Sequence, residues 1–250
     1  MTKHSLTSSP IKLFADDIKM YHIVNNLNNA IYFQSILNSI NYWCTDSQLS
    51  LNYDKCFILH LGKSNTKFSY GLNGVLFPSP DQVKDLGVFI DSSLSFSKHI
   101  AATCSKARSR CSLFLKSFIS RDLFSMKQFY ISYIRPLLEY SSPVWSPITQ
   151  GDINALESVQ RFYTNRVPCC TFLPYKRRLE ILAIDSLQKR RQIADLVCLF
   201  SIINGSTNTF LHPYLNFELP SITRSHNLRI CKPLLNLSLS YQNLIYRSEI

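Results

Sequence analysis

The chain has 250 residues, of which 46% are hydrophobic, and this is enough to build a core in one or two domains. Its 27 Lys and Arg against 16 Asp and Glu give a net charge of +11, which favours a polyanionic partner, with nucleic acid ahead of an anionic membrane. An aromatic content of 12% excludes a disordered basic tail.

The eight cysteines indicate no zinc module, because none forms a C-x-x-C pair or accompanies paired histidines at a ligand spacing. The longest apolar stretch, residues 193–203, is too short for a membrane span and is interrupted by Asp195. The amino terminus carries no recognisable secretory signal. We therefore expect an intracellular protein of the nucleus or cytoplasm that is not secreted and has no membrane partner.

Two adjacent acids, Asp16 and Asp17, lie between two short apolar runs in residues 12–21. This pattern predicts a β-hairpin with the acids at its tip. A solvated turn is the simpler interpretation, since Asp is a common turn residue. The alternative is a divalent-metal site, because Mg²⁺ is often held by one or two carboxylates together with substrate phosphates.

The next residues alternate between helical and extended patterns. Apolar residues recur at helical spacing from about residue 25, where Asn25 or Asn26 can cap a helix, to residue 45. Residues 57–61 have the pattern of a buried strand, residues 68–77 that of a hairpin folded at Asn73-Gly74, and residues 83–90 that of a strand-like run interrupted at Gly87. Residues up to 96 therefore predict an antiparallel α+β domain.

From Ser97 the pattern becomes helical and strongly basic. Apolar residues at 100, 104, 107, 111, 114 and 118 predict one buried stripe. A second helix is predicted from residue 123 to about residue 134, where Pro136 should stop it.

The basic residues between 98 and 135 are Lys98, Lys106, Arg108, Arg110, Lys116, Arg121, Lys127 and Arg135, against the single acid Asp122. A solvated helix face usually mixes charge signs, so this pattern favours a surface that follows phosphates.

Two further helical tracts are predicted, at residues 152–166 and 177–204. The first should turn Leu156, Val159 and Phe162 or Tyr163 inward. The second carries the apolar residues Leu179, Leu182, Ile193, Leu196, Val197 and Phe200. The basic clusters at 176–178 and 189–191 can either touch a nucleic-acid backbone or face solvent. Residues 206–250 carry no clear pattern.

Taken together, these segments resemble the reverse transcriptases of non-LTR (LINE-type, jockey-like) retrotransposons over about residues 11–230. The matching stretches are F-A-D-D at 14–17; Trp43 with L-S-L-N at 49–52 and Lys55; V-K-D-L-G-V-F-I-D at 83–91 with Leu94, Phe96 and His99-Ile100; Y-I-R-P-L-L-E-Y at 133–140 with Val144-Trp145; and weaker C-terminal matches at 156–161, 177–179, 195–196 and 203–205.

The resemblance implies a partial palm at 1–96 made of antiparallel hairpins and a helix, all-α thumb helices at 97–147, a C-terminal helical region at 148–205 and an irregular tail at 206–250. It also implies site roles. Asp16 and Asp17 would bind Mg²⁺ or Mn²⁺, Lys55 would act on the leaving phosphates, and Leu86 with Gly87 would grip the primer. The basic residues Lys98, Lys106, Arg108, Arg110 and Lys116 would follow an RNA–DNA duplex of template and primer, with no small-molecule cofactor beyond deoxynucleotides and metal.

Members of this family carry a third metal-binding carboxylate upstream of F-A-D-D, whereas the ten residues before Ile11 contain no acid. We therefore expect a fragment of an RNA-directed DNA polymerase that is inactive alone, and that binds metal only if this carboxylate is supplied. The alternative is a non-catalytic RNA- or DNA-binding module derived from palm and thumb.

Overall fold

A computed structural model describes residues 10–62, 65–119 and 121–206. The strands are β1 (Ile11–Phe14), β2 (Asp17–Met20), β3 (Gly71–Leu72), β4 (Val75–Leu76), β5 (Gln82–Asp85) and β6 (Val88–Asp91). The helices are α1 (Leu27–Asp46), α2 (Ser97–Ser117), α3 (Leu123–Phe129), α4 (Arg135–Glu139), α5 (Ser142–Trp145), α6 (Gln150–Thr164), α7 (Tyr175–Leu182) and α8 (Leu187–Ile203), with a 3₁₀ turn at Tyr53–Lys55 and a π-helical turn at Tyr130–Ile134.

The described residues form two compact units. The first consists of residues up to Lys84 together with Ile90–Leu94, and the second of Asp85–Phe89 together with the chain from Ser95 onward. The strands pair as three separate two-stranded sheets, β1–β2, β3–β4 and β5–β6. The predicted α+β class is therefore confirmed. The palm and thumb assignments stay predictions.

Helix α1 organises the first unit. It begins where the sequence predicted, because the side chain of Asn26 accepts a hydrogen bond from the backbone N–H of Asn29 at 2.9 Å. Its buried face contributes Ala30 and Phe33 to a small core shared with Tyr70. The amide of Gln34 also bonds both backbone groups of Gly71, at 2.6 and 3.2 Å, and so ties α1 to strand β3.

The Asn73-Gly74 turn is confirmed as the tip of the β3–β4 hairpin. Both residues have positive φ, 51° and 80°, as a type I′ turn requires. The expected strand at 57–61 is wrong: this segment has no strand partner in the described chain. Its Ile58 donates one backbone hydrogen bond, to the carbonyl of Pro78 at 3.0 Å, and a single bond does not build a ladder.

The second unit is helical and is built around α2, which packs mainly against α6. The predicted α2 stripe is buried at positions 100, 104, 107, 111 and 114, whereas Phe118 is 55% exposed. Across the interface, α6 buries Leu156, Val159 and Tyr163, in agreement with its sequence pattern.

Pro136 does not end a helix, contrary to the sequence-based expectation. The chain passes from α3 through the π-helical turn, in which the N–H of Arg135 donates to the carbonyl of Tyr130, and continues as α4. Pro136 therefore falls in the first turn of α4. Pro136 is thus accommodated directly after the widened π-helical turn.

The single tract expected at 177–204 is two helices. Ala183 adopts a left-handed conformation with φ of 47° after α7, and Ser186 caps α8 by accepting from the N–H of Lys189 at 3.2 Å. Of the apolar residues noted in this tract, Leu182 is buried, whereas Ile193, Leu196, Val197 and Phe200 are 47–66% exposed and do not form the buried face of α8. The helix instead turns Arg191 and Asp195 inward, together with Leu187, Leu199 and Ile202, against the layer formed by α4, α5 and α6. Among the described helices, none is both long enough and apolar enough to cross a bilayer.

Candidate functional site

The two acids lie at the tip of the β1–β2 hairpin, as predicted. Phe14 and Asp17 are the last paired residues, so Ala15 and Asp16 form a two-residue turn. Ala15 has a φ of 51°, which is unfavourable for a residue with a Cβ atom. Both carboxylates are exposed. Strained turn residues recur at ligand-binding positions, and here the strain presents two neighbouring carboxylates to solvent.

The turn alone suits partial coordination of a hard cation, because Mg²⁺ accepts one or two carboxylates and completes its shell with phosphate and water. A two-metal site needs further ligands. Within the described ranges, no three His, Cys, Asp or Glu side chains come together as a metal-binding group. The structure thus brings Asp16 and Asp17 together and joins no third described acid to them.

The surroundings of this turn are apolar and open. Leu13 is 71% exposed and Phe14 59%. In the part of the chain that the structure describes, β1 and β2 pair only with each other. An apolar hairpin with two free edges is a surface on which further structure can pair or pack.

Lys55 lies in the 3₁₀ turn and is exposed. The turn is fixed by Tyr53, whose hydroxyl donates to Asn41 on α1 at 2.9 Å and accepts from Asn73 at 2.8 Å. The Lys55 ammonium itself makes no hydrogen bond or ion pair with another described residue. The hydrogen bonds of Tyr53 thus fix the turn that carries Lys55, while the role of Lys55 on leaving phosphates stays a prediction.

Leu86 and Gly87 form the tip of the β5–β6 hairpin, with φ of 44° and 87°. Tyr140, which follows α4, holds this tip: its hydroxyl donates to the carbonyl of Leu86 at 3.0 Å. The indole N–H of Trp145 in turn donates to the carbonyl of Tyr140 at 2.7 Å. In the sequence, Tyr140 stands only as the last residue of a helical motif, and nothing in that pattern indicates this contact.

His99 supports the same hairpin from α2. Its Nδ1 accepts a hydrogen bond from the N–H of Phe89 at 3.3 Å, and its ring meets Trp145 edge-on at 5.1 Å between centroids. Burial lowers the pKa of His99, which favours the neutral imidazole that can accept this bond. His99 belongs to a stretch in which the sequence resembles the family, but nothing in that pattern indicates its contacts with Phe89 and Trp145.

The five predicted phosphate-contacting residues all lie on α2, but they do not share one face. At about 100° per residue, Lys98 and Lys116 point the same way, opposite the buried stripe, and Lys106 lies toward one flank. These three ammonium groups are exposed and unpaired within the described chain. Arg108, on the other flank, donates to the hydroxyl of Ser158 at 2.6 Å, and Arg110 donates to the carbonyl of Tyr133 at 3.3 Å.

Most residues of the two later basic clusters, at 176–178 and 189–191, contact other residues of the same chain. Arg178 is buried and donates to the carbonyl of Arg161 at 2.9 Å and to the hydroxyl of Thr164 at 3.1 Å. Arg190 forms a two-point contact with Glu139, and Arg191 is only 3% exposed. The remaining cluster members with a partner pair with neighbouring acids: Arg177 with Glu180 and Lys189 with Asp185. A structural role thus accounts for most of these charges, a possibility that the sequence did not suggest.

The weaker C-terminal motif also has a packing role. Gln160 is fully buried, accepts from the hydroxyl of Tyr130 and donates to the carbonyl of Asp185 at 3.0 Å. Glu157 accepts from the hydroxyl of Tyr175 and from the N–H of Leu187 at 3.3 Å. These bonds connect α6 to the π-helical turn, to α7 and to the start of α8.

Comparison with known proteins gives three relatives. An uncharacterized protein of Caenorhabditis elegans is 30% identical over 128 residues, which cover 50% of this chain and 65% of the relative. The probable RNA-directed DNA polymerases from transposon BS and transposon X-element of Drosophila melanogaster are 25% and 24% identical over 167 and 170 residues. The matches cover 64% and 65% of this chain but 18% of each polymerase.

No family model and no solved structure matches the chain. The chain spans less than two-thirds of each of these relatives, and less than a fifth of either Drosophila polymerase. It is therefore similar, over about two-thirds of its own length, to RNA-directed DNA polymerases of transposons, and this similarity supports a relationship with the non-LTR reverse transcriptases.

Proposed function

We propose that the chain is a nucleic-acid-binding segment of a transposon RNA-directed DNA polymerase, and that it holds an RNA–DNA duplex along α2. The observation that carries the proposal is the set of three unpaired, exposed lysines, Lys98, Lys106 and Lys116, on a helix without an acidic residue. Such a surface binds phosphates without reading sequence, and its affinity falls as salt rises. The similarity to the two probable RNA-directed DNA polymerases supports a nucleic-acid ligand made of template and primer.

In this proposal each predicted residue has a task. Asp16 and Asp17 would present carboxylate oxygens to divalent metal, which when bound would stabilise negative charge on the reacting phosphate oxygens. Lys55 would neutralise charge on the leaving phosphates. Leu86 and Gly87 would place an exposed backbone turn against the primer end, since Gly87 lets a backbone approach closely. Two neighbouring acids without a third described ligand do not fix two ions, so we expect no polymerisation by this chain alone.

Duplex binding tests the main proposal. The Kd of a fluorescently labelled RNA–DNA duplex is measured by anisotropy over a series of NaCl concentrations. Combining Lys98→Ala, Lys106→Ala and Lys116→Ala should reduce the slope of log K against log salt by roughly 0.9 for each phosphate that is no longer neutralised. The charge-matched control combines Lys67→Ala, Lys176→Ala and Lys189→Ala, on residues outside α2. Equal weakening in both triple variants would show that net charge, and not α2, determines binding.

Catalysis is tested separately, with an RNA template, a DNA primer and labelled deoxynucleotide in Mg²⁺ or Mn²⁺. We expect no incorporation by the 250-residue chain. Incorporation that Asp16→Ala abolishes would show instead that the chain polymerises by itself.

The second candidate function is a non-catalytic RNA- or DNA-binding module. It is favoured by the finding that the described residues contain no three-ligand metal group. Mn²⁺ binding, measured by electron paramagnetic resonance with duplex present, separates the two. A polymerase segment that is supplied with the third carboxylate should lose bound Mn²⁺ on Asp16→Ala and Asp17→Ala, whereas a non-catalytic module should bind the same duplex with no such difference.

A further inference from the structure

Four aromatic rings form a continuous stack on one side of the second unit. Phe118 stacks on Phe114 with 4.6 Å between ring centroids, Phe114 on Phe129 with 3.6 Å, and Phe129 on Tyr133 with 5.2 Å. The angles between successive ring planes are 29°, 16° and 17°, so the rings are nearly parallel. We call these four residues the aromatic ladder.

The inner part of the ladder is packed and its ends are open. Phe114 is only 6% exposed, whereas Phe118 is 55% and Tyr133 59% exposed. Tyr133 lies in the π-helical turn, a widened helical geometry that recurs at functional sites. An aromatic ring that is fixed from below by a stacked neighbour and open above offers a flat surface for another ring.

The charged groups near Tyr133 indicate which kind of ligand can stack on its ring. The guanidinium of Arg110 donates to the carbonyl of Tyr133 at 3.3 Å, so a positive charge lies beside the backbone of the residue at the open end. The nearby acid Asp122 is engaged at the start of α3, where it accepts from the N–H of Ser125 at 2.9 Å. An apolar ring surface with a cationic neighbour suits a base with its phosphate better than an apolar peptide.

We propose that the Tyr133 end of the aromatic ladder stacks on an unpaired base of single-stranded nucleic acid, while Arg110 contacts the adjoining phosphate. This inference rests on the proposed function, because it extends the α2 duplex surface to a strand that leaves the duplex. It adds a contact that a paired base cannot make, since paired bases already stack on their neighbours. The interaction tolerates any sequence, because every base has an aromatic face.

The test uses the full chain and two oligonucleotides that contain 2-aminopurine, a fluorescent base that is quenched when it stacks. One carries the probe in a single-stranded overhang of an RNA–DNA duplex, and the other carries it in a fully paired duplex. We expect quenching of the overhang probe by the natural chain and by Tyr133→Phe. Tyr133→Leu should abolish the quenching and weaken overhang binding by about 5- to 150-fold, the range for one base–aromatic stack, while paired-duplex affinity stays unchanged.

Tyr42→Leu is the matched control, since Tyr42 is 77% exposed on α1 in the other unit and should change neither signal. Ultraviolet crosslinking of an overhang with 5-iodouracil provides a measurement that needs no variant, and its crosslink should map to Tyr133. A crosslink that maps only elsewhere, or quenching that survives Tyr133→Leu in a folded protein, would overturn the inference. So would a Tyr133→Leu variant that converts a dimer to a monomer by sedimentation, because a second copy would then cover the ring.

The experiments also distinguish a failure of this inference from a failure of the proposed duplex binding. Duplex binding through the α2 lysines without overhang stacking would leave the proposed function standing and reject the base site. Overhang stacking without duplex binding would reject the duplex function and leave the base site standing.

Discussion

The hydroxyl of Tyr140 donates to the carbonyl of Leu86 at 3.0 Å, across 54 residues of sequence. This bond joins the tip of the β5–β6 hairpin to the end of α4. A surface hairpin of two short strands is marginally stable by itself, so such a contact largely determines where its tip lies. The residue that positions the predicted primer grip is thus outside the motif that suggested it.

Tyr140→Phe removes this bond and keeps the ring. We expect the free energy of unfolding of the second unit to fall by about 0.5–1.5 kcal/mol, the usual net value of one hydrogen bond. The chain has two tryptophans, and Trp145 is buried in this unit while Trp43 lies in the first. Urea unfolding followed by Trp145 fluorescence in a Trp43→Phe background measures the change. The same substitution at Tyr133, an exposed tyrosine in the neighbouring π-helical turn, should leave stability unchanged if the hydroxyl of Tyr140 is the cause.

Gly87→Ala tests the backbone of the same tip. Gly87 has a φ of 87°, and an added Cβ atom would lie 3.5 Å from Cε1 of Tyr140, which is ordinary contact. The cost should therefore come from the left-handed backbone, at about 1–2 kcal/mol. Gly151→Ala is the control, because Gly151 is helical and the nearest atom to its added Cβ is 3.9 Å away. A cost at Gly87 no larger than at Gly151 would contradict this account.

Local patterns predicted the local structure well. Asn26 as a cap, Asn73-Gly74 as a turn and the apolar stripe of α2 each depend on residues close in sequence, and each is found. The acids of the β1–β2 turn were placed for the same reason.

Features set by distant residues were not predictable in this way. The apolar run at 57–61 lacks a partner strand in the described chain, and no local pattern reveals that. The orientation of α8 depends on packing against α4, α5 and α6. This packing buries Arg191 and Asp195, although charged side chains usually face solvent. The candidate metal site could be predicted only to its two adjacent acids, because tertiary structure determines which distant side chains would lie near them.

His99 predicts a pH dependence of stability. Its pKa is lowered in the folded protein by burial, while in the unfolded chain it is about 6.5. The unfolded state therefore binds more protons below that pH. Stability is full above about pH 6.5 and declines as the pH falls toward the lowered pKa, by at most about 1.4 kcal/mol per pH unit. Protonation also places an N–H where Nδ1 accepts from Phe89, which opposes that bond.

Urea unfolding between neutral and mildly acidic pH, again followed by Trp145 fluorescence, measures this dependence. His99→Asn is the matched variant, since Asn offers an acceptor near the same position and does not titrate. It should flatten the pH dependence of the second unit. The pKa of His60 in the first unit is also lowered, by burial and by Lys67, so a dependence that persists in His99→Asn and disappears in His60→Gln would assign it to the other residue.

Thiol reactivity should follow burial. Burial raises the pKa of Cys104 to about 11 and that of Cys111 to about 12, so neither forms appreciable thiolate at neutral pH. Cys169 is exposed, whereas its neighbour Cys170 is buried. Brief treatment of the folded chain with iodoacetamide at neutral pH should modify Cys169 and leave Cys104, Cys111 and Cys170 largely unmodified, as measured by mass spectrometry of each peptide. In urea all four should react alike, because unfolding removes the burial that separates them. Early labelling of Cys104 or Cys111 in the folded protein would mean that α2 does not pack closely against α6.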